Sequence, residues 1–173
     1  MQLIPKPAPG FDDPLGLLSA CHERILSHCA TLERLVPHLR QYGADEDAQQ
    51  AAARILRYFQ VAAPLHHQDE ECDLFPALRF HDDFPDMLHA VLENLAAQHG
   101  ELDSIWMPLE GALQAVAKGL PADLAIQDFV ALTRAHIAVE EQEIFPLATC
   151  YLGAETLAKL SHAMQERRQT QSY

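Results

Sequence analysis

Histidine and glutamate recur along this chain at a spacing that suits metal binding. The segment His66-His67-Gln68-Asp69-Glu70-Glu71-Cys72-Asp73-Leu74-Phe75-Pro76 returns, seventy residues on, as His136-Ile137-Ala138-Val139-Glu140-Glu141-Gln142-Glu143-Ile144-Phe145-Pro146. Both copies read His-x-x-x-Glu-Glu-x-x-[Leu/Ile]-Phe-Pro. On a helix, residues i and i+4 lie one above the other on the same face. Each copy thus presents an imidazole and a carboxylate together, and two copies facing one another make a metal site. His67 and Glu71 form an overlapping i,i+4 pair, turned by about 100° from the first on an ideal helix. Position 67 aligns with Ile137, so the shared register selects His66 with Glu70, matching His136 with Glu140. Glu71 and Glu141 are expected at the helix flanks or beside the ligating imidazoles, where carboxylates orient the rings. His67 is the candidate for an additional ligand.

The elements that position these residues are helices. Val, Ile and Thr are sparse, Ala and Leu abundant, and no strand-like alternation is present, which predicts an all-α fold. Asp13-Pro14 is an N-cap followed by proline at the first helical position, starting a helix that runs to Gln41-Tyr42 and stops at Gly43. Pro37 is expected to kink or break its last turns. The second helix is expected from Asp47 to a stop at Phe75-Pro76, with a bend at Pro64, and the third from Asp86 to Lys118, disturbed at Pro108. After the turn Gly119-Leu120-Pro121, a fourth helix runs to about Cys150, and a short fifth helix follows from Ala154 to Arg168. The seams of these helices are read off at 3-4 spacing. Helix one offers Leu15, Leu18, His22, Ile25, Cys29, Leu32, Val36 and Leu39, and helix three Leu92, Leu95, His99, Leu102, Trp106, Leu109, Leu113 and Val116. Helix two gives Ile55, Phe59, Ala62, His66 and Glu70, and helix four Phe129, Leu132, His136 and Glu140. This pattern predicts an antiparallel, up-down-up-down four-helix bundle over residues 13–150, with an extended arm at 1–12 and a short helix and tail at 151–173.

One histidine interrupts each of the four seams. A lone histidine on an apolar face is ordinarily a core residue hydrogen-bonded to a neighbour. A lone His-x-x-x-Glu is ordinarily a solvated pair worth a few tenths of a kcal/mol. The joint pattern reads differently, because carboxylates are almost never buried unless paired or bound to metal, and Glu70 and Glu140 lie on core seams. At 1.5 Å per residue, His22 and His66 fall ~12–14 Å from one pole and His99 and His136 ~20 Å from it, within a boundary error of one layer. The expected ligand set is His22, His66, Glu70, His99, His136 and Glu140. Closed structural zinc needs only four ligands, commonly with thiolates. Six mixed nitrogen and oxygen ligands suit two octahedral-tending ions with bridging carboxylates, a pair of non-heme irons first, with manganese or zinc as substitutes. Exchangeable positions then remain for a small diatomic. His28, His38, His81, His89 and His162 fail the seam test and read as surface or boundary residues.

Composition narrows the classes further. A formal net charge of −13 over 173 residues leaves no basic stripe for nucleic acid or for an anionic membrane. No apolar run approaches the ~18 residues needed to span a bilayer, and the stretch Met1 to Gly10 lacks the apolar core of a signal peptide. The four cysteines form no Cys-x-x-Cys pair and read as free thiols, each a small buried hydrophobe, in a cytoplasmic protein.

At these residues the chain resembles the hemerythrin family, specifically the bacterial hemerythrin-like HHE cation-binding domains. The resemblance covers roughly Asp13 to Cys150 and rests on Asp13-Pro14 followed by Cys21-His22-Glu23, on Gln98-His99, and on the two His-x-x-x-Glu-Glu…Phe-Pro motifs. It implies a four-helix bundle holding a non-heme, carboxylate-bridged di-iron centre, with reversible O₂ binding or a role in sensing O₂, nitric oxide or iron. The oxygen-carrying members have a His-x-x-x-His pair on the third helix, whereas here His99 has Leu95 before it and Asp103 after it. His67, Asp103 or water is then left to fill the fifth histidine's place. Members that repair iron–sulfur centres carry an N-terminal cysteine pair that is not present before His22 here. The leading expectation is a binding or sensing protein rather than an enzyme. A di-iron oxidase or peroxidase is the alternative, disfavoured because ferritin-like di-iron enzymes use Glu-x-x-His spacing. A metal-stabilised structural bundle is the third reading, and a homodimer stays open.

Overall fold

The computed structural model describes residues 10–170, all of whose regular structure is helical. The elements are α1 (Pro14–Tyr42), α2 (Glu46–Asp69), a π turn (Glu70–Leu74), α3 (Phe75–Arg79), a 3₁₀ turn (Asp86–Leu88), α4 (His89–Ala117), α5 (Gln127–Val139), a second π turn (Glu140–Ile144), α6 (Phe145–Tyr151) and α7 (Ala154–Thr170). The greater part of the arm expected at 1–12, and the last residues of the tail, lie outside the described residues. No helix among the described residues is long and apolar enough to cross a membrane.

Local chemistry explains the ends. The Asp13 carboxylate accepts from the Gly16 N–H at 2.9 Å with Pro14 behind it, and Asp45 caps α2 in the same way through Ala48 N–H. Gly43 closes α1 at φ +69° and Gly119 turns the chain after α4 at φ +76°, a region that side chains with a Cβ avoid. Pro37, Pro64 and Pro108 lie inside α1, α2 and α4 without ending them. All three face solvent, where water satisfies the carbonyl each one orphans.

The Phe-Pro pair does not stop helix two. The chain continues through α3 to Arg79, and the fourth helix continues through α6 to Tyr151. In both copies the helix instead widens by one residue just before the proline. The Phe75 N–H reaches the Glu70 carbonyl, and the Phe145 N–H the Glu140 carbonyl. A proline ring collides with the carbonyl four residues back, so a local i→i−5 turn lets the helix pass it.

α1 packs on α2, α2 on α4, α4 on α5, and α5 on α1, closing a ring of helices around two apolar blocks. One block, from Ile25 and Leu32 to Trp106, Leu113 and Phe129, fills one half of the interior. The other gathers Leu18, Leu74, Leu78, Leu95, Ile144 and Met164. The buried set of α4 is the predicted seam, residue for residue. In α2 and α5 the predicted Ala62 and Leu132 are only half-buried, and Ala63 and Thr133 take the buried position instead. Both stand three residues before the seam histidine, on the same helix face. Cys21 and Cys29 are buried and Cys72 and Cys150 exposed, so only the first two are the small hydrophobes expected.

α7 packs on α1, α2 and the first π turn. Its Arg167 bonds Asp69 and Asp73, and Arg168 reaches the second oxygen of Asp69 at 2.6 Å. Asp69 is fully buried, and two guanidiniums offset its desolvation. The corresponding positions of the second copy are Val139 and Glu143, so α7 grips only the first. Replacing both Arg167 and Arg168 with Ala is expected to destabilise the fold by about 3 kcal/mol, because it strands a buried charge. Denaturant unfolding measures this, and a loss under about 0.5 kcal/mol would contradict it.

Candidate metal centre

Between the two apolar blocks lies a polar layer. His22 of α1, His66 of α2, His99 of α4 and His136 of α5 point into it, together with Glu70 and Glu140, the opening residues of the two π turns. All six are buried, the two glutamates to 0% exposure. They form two groups, each with ligand atoms within 4.8 Å of one another: His22, His66, Glu70 and Glu140, and Glu70, His99, His136 and Glu140. Both glutamates belong to both groups. Oε1 of Glu70 faces His22 and His66 at 3.6 and 3.3 Å while Oε2 faces His99 at 3.5 Å. Oε2 of Glu140 faces His22 at 3.1 Å while Oε1 faces His136 at 3.2 Å. Each carboxylate turns one oxygen toward each group, as a bridging carboxylate does.

Chemically, the layer is short of positive charge. None of the four carboxylate oxygens of Glu70 and Glu140 has a hydrogen-bond partner, nor has Nε2 of His22. Burying a carboxylate without compensation costs several kcal/mol. Nδ1 of His99 bonds the Glu71 carboxylate at 2.6 Å, and Nδ1 of His136 bonds Oε1 of Gln98 at 2.9 Å. Those acceptors place the ring protons on Nδ1. In the neutral rings both Nε2 atoms then carry bare lone pairs, yet they face each other at 3.0 Å. Two lone pairs at that separation repel, and a cation between them removes the repulsion. The residues present therefore fit a pair of divalent ions with mixed nitrogen and oxygen ligands.

Titration directions agree. Burial disfavours the His22 cation, but Glu140 and Glu70 outweigh it and hold its pKa up to about 10. Burial, reinforced by the charge of Glu140, pushes Glu70 well above the usual carboxylate range. Burial pushes His99 down to about 3, helped by His67 and His136, which keeps that ring neutral and able to ligate. Positive charge enters this layer as protons or as metal.

The two copies support each other crosswise. Glu141, from the second copy, bonds Nδ1 of His22 at 2.7 Å, and Glu71, from the first, bonds His99. Phe145 stacks on His22 with ring centroids 5.2 Å apart, and Phe75 on His99 at 6.2 Å. Each motif thus contributes its first glutamate to the shared layer and lends its second glutamate and its phenylalanine to the isolated histidine of the other half. Sequence reasoning missed the phenylalanines and Gln98, although the repetition of Phe in both copies was a visible signal. His67 and Asp103, candidates with water for one further position, enter neither group. His67 lies flat against His99 at 4.0 Å instead.

Glu71→Gln and Glu141→Gln are each expected to weaken metal affinity about 10- to 100-fold while leaving the helical fold intact, as losses of ring-orienting partners do. Competition against a metal chelator measures the affinity and circular dichroism the fold. Because uptake must displace protons, affinity is expected to fall as pH falls and loading to release acid to an indicator. Uptake indifferent to pH would contradict that account.

Residues 13–148 match the family described as hemerythrin HHE cation binding domain. An uncharacterized protein of Haemophilus influenzae is 31% identical over 173 residues, a stretch covering 98% of each chain. With the match spanning all six residues of the polar layer, the chain belongs to the hemerythrin HHE cation-binding family.

Proposed function

We propose that this chain is a di-iron binding protein that takes up a small diatomic ligand, O₂ or nitric oxide, in a binding or sensing role, or that senses iron itself. The observation that supports the reading is the sharing of both glutamates between two ligand groups, each carboxylate offering one oxygen to each group. In this reading α1, α2, α4 and α5 run up-down-up-down, and His22, His66, Glu70, His99, His136 and Glu140 are the ligands. Two ferrous ions would supply the redox-active positions at which a diatomic binds reversibly. The protein's own part is to fix the rings through Glu71, Glu141 and Gln98, and to keep bulk water away with the apolar blocks on either side. In this reading the free thiols suit a reducing compartment such as the cytoplasm.

A small cavity adjoins the layer and supports a small ligand. It has a volume of about 40 Å³ and is walled largely by Ile25, Phe59, Leu102, Trp106, Phe129 and Ile137, with His66 and His136 among its lining residues. A water needs roughly 10–15 Å³ on this measure, so the space takes about three water-sized groups, enough for a ligand of two or three atoms.

Anaerobic purification with iron, elemental analysis, and an absorption spectrum on exposure to O₂ or nitric oxide test the proposal. About two irons per chain and a reversible charge-transfer band are expected. Irreversible oxidation with consumption of peroxide would make the protein an oxidase or peroxidase, and stoichiometric zinc without redox response would leave a structural bundle. His136→Ala and Glu70→Ala are each expected to abolish metal retention. Full metal content in either variant overturns the ligand assignment.

A further inference from the structure

The cavity beside the polar layer is built on the internal repeat, and its exceptions to that repeat are informative. Its walls pair residues seventy apart: Phe59 with Phe129, His66 with His136. Two pairs break the match. Where the second copy has Ile137 the first has His67, and where the first has Ala63 the second has Thr133. Asp103, four residues after His99, is a further polar lining residue.

These polar groups are not equivalent. The Thr133 hydroxyl already donates to the Phe129 carbonyl at 2.7 Å. Asp103 is exposed at the rim, and a carboxylate only accepts and carries the sign that repels an anion. His67 is half-buried, lines the cavity, and stacks on His99 with an interplanar angle of 9°. Neither of its ring nitrogens has a hydrogen-bond partner among the described residues. The cavity lining includes one histidine from each ligand group, His66 and His136. A ligand beside them touches a residue of each group and lies within the lining that His67 shares.

We propose that His67 is the specificity-determining donor of this cavity: its imidazole N–H hydrogen-bonds a two- or three-atom anionic ligand held in the cavity beside His66 and His136. The inference rests on the di-iron reading above. His67 binds no metal in it, and its stacking on His99 leaves the ring edge free to donate.

Azide is the probe, titrated into the iron-loaded full chain, with iron content measured on the same samples. His67→Phe keeps an aromatic ring against His99 but removes the donor, and His67→Gln keeps a donor but removes the ring. The proposal expects His67→Phe to bind azide about tenfold or more weakly and His67→Gln to stay within about threefold of the parent, both with unchanged iron. If His67→Phe binds azide as the parent does, or His67→Gln is as weak as His67→Phe, the ring matters only by stacking and the proposal falls. Loss of iron in either variant makes His67 a ligand and also overturns it. A parent chain that takes up no iron fails one step earlier, at the di-iron reading, and the two failures are told apart by the elemental analysis of the unmutated protein.

Discussion

Two fully buried carboxylates without a single hydrogen-bond donor set the terms for everything else in this molecule. Glu70 and Glu140 sit in the middle of an otherwise apolar ring of helices, where an uncompensated charge costs more than a typical side-chain contact returns. Compensation must come from inside the layer. Around bound cations the histidines brought in from four helices would supply nitrogen lone pairs, and the outer carboxylates and amide accept hydrogen bonds from Nδ1 of His22, His99 and His136. The arrangement makes chemical sense around cations, and the family to which the chain belongs is described by that property.

The π turns are the backbone's contribution. They occur at the same place in both copies, each beginning at the shared glutamate, and each precedes the proline of the Phe-Pro pair. At this proline a widened turn relieves the clash with the carbonyl four residues back, whereas a stop would leave the helix short of the second apolar block. It also follows that the motif's residues divide their labour across the molecule, with one half's glutamate and phenylalanine serving the other half's histidine.

Much of this was legible in the residues. The α4 seam was read without error because its heptad-like spacing has no competing register. The six buried ligand candidates were found because a doubled motif and four seam histidines constrain each other. The π turns were not legible, since proline after an apolar run signals a helix end by every local rule, and whether a helix ends or widens is decided by tertiary packing. The shift from Ala62 and Leu132 to Ala63 and Thr133 escaped for a related reason: positions three and four before a seam residue share a face. The grip of Arg167 and Arg168 on Asp69 joins residues about a hundred apart, and no periodicity announces such a pairing. The stacking of His67 on His99 was not legible, because an i,i+4 pair does not reveal whether its ring will point inward or lie against a neighbour.

The division of the apolar interior into two blocks has a mechanical side. Four helices cross from one block to the other, and the plane they cross is the layer of six polar side chains. Apolar packing interlocks the side chains within each block, whereas in that plane the helices face one another through polar side chains. A tilt of one block against the other would therefore change the separations of the six polar groups, and a change in what the layer holds would be felt by all four helices.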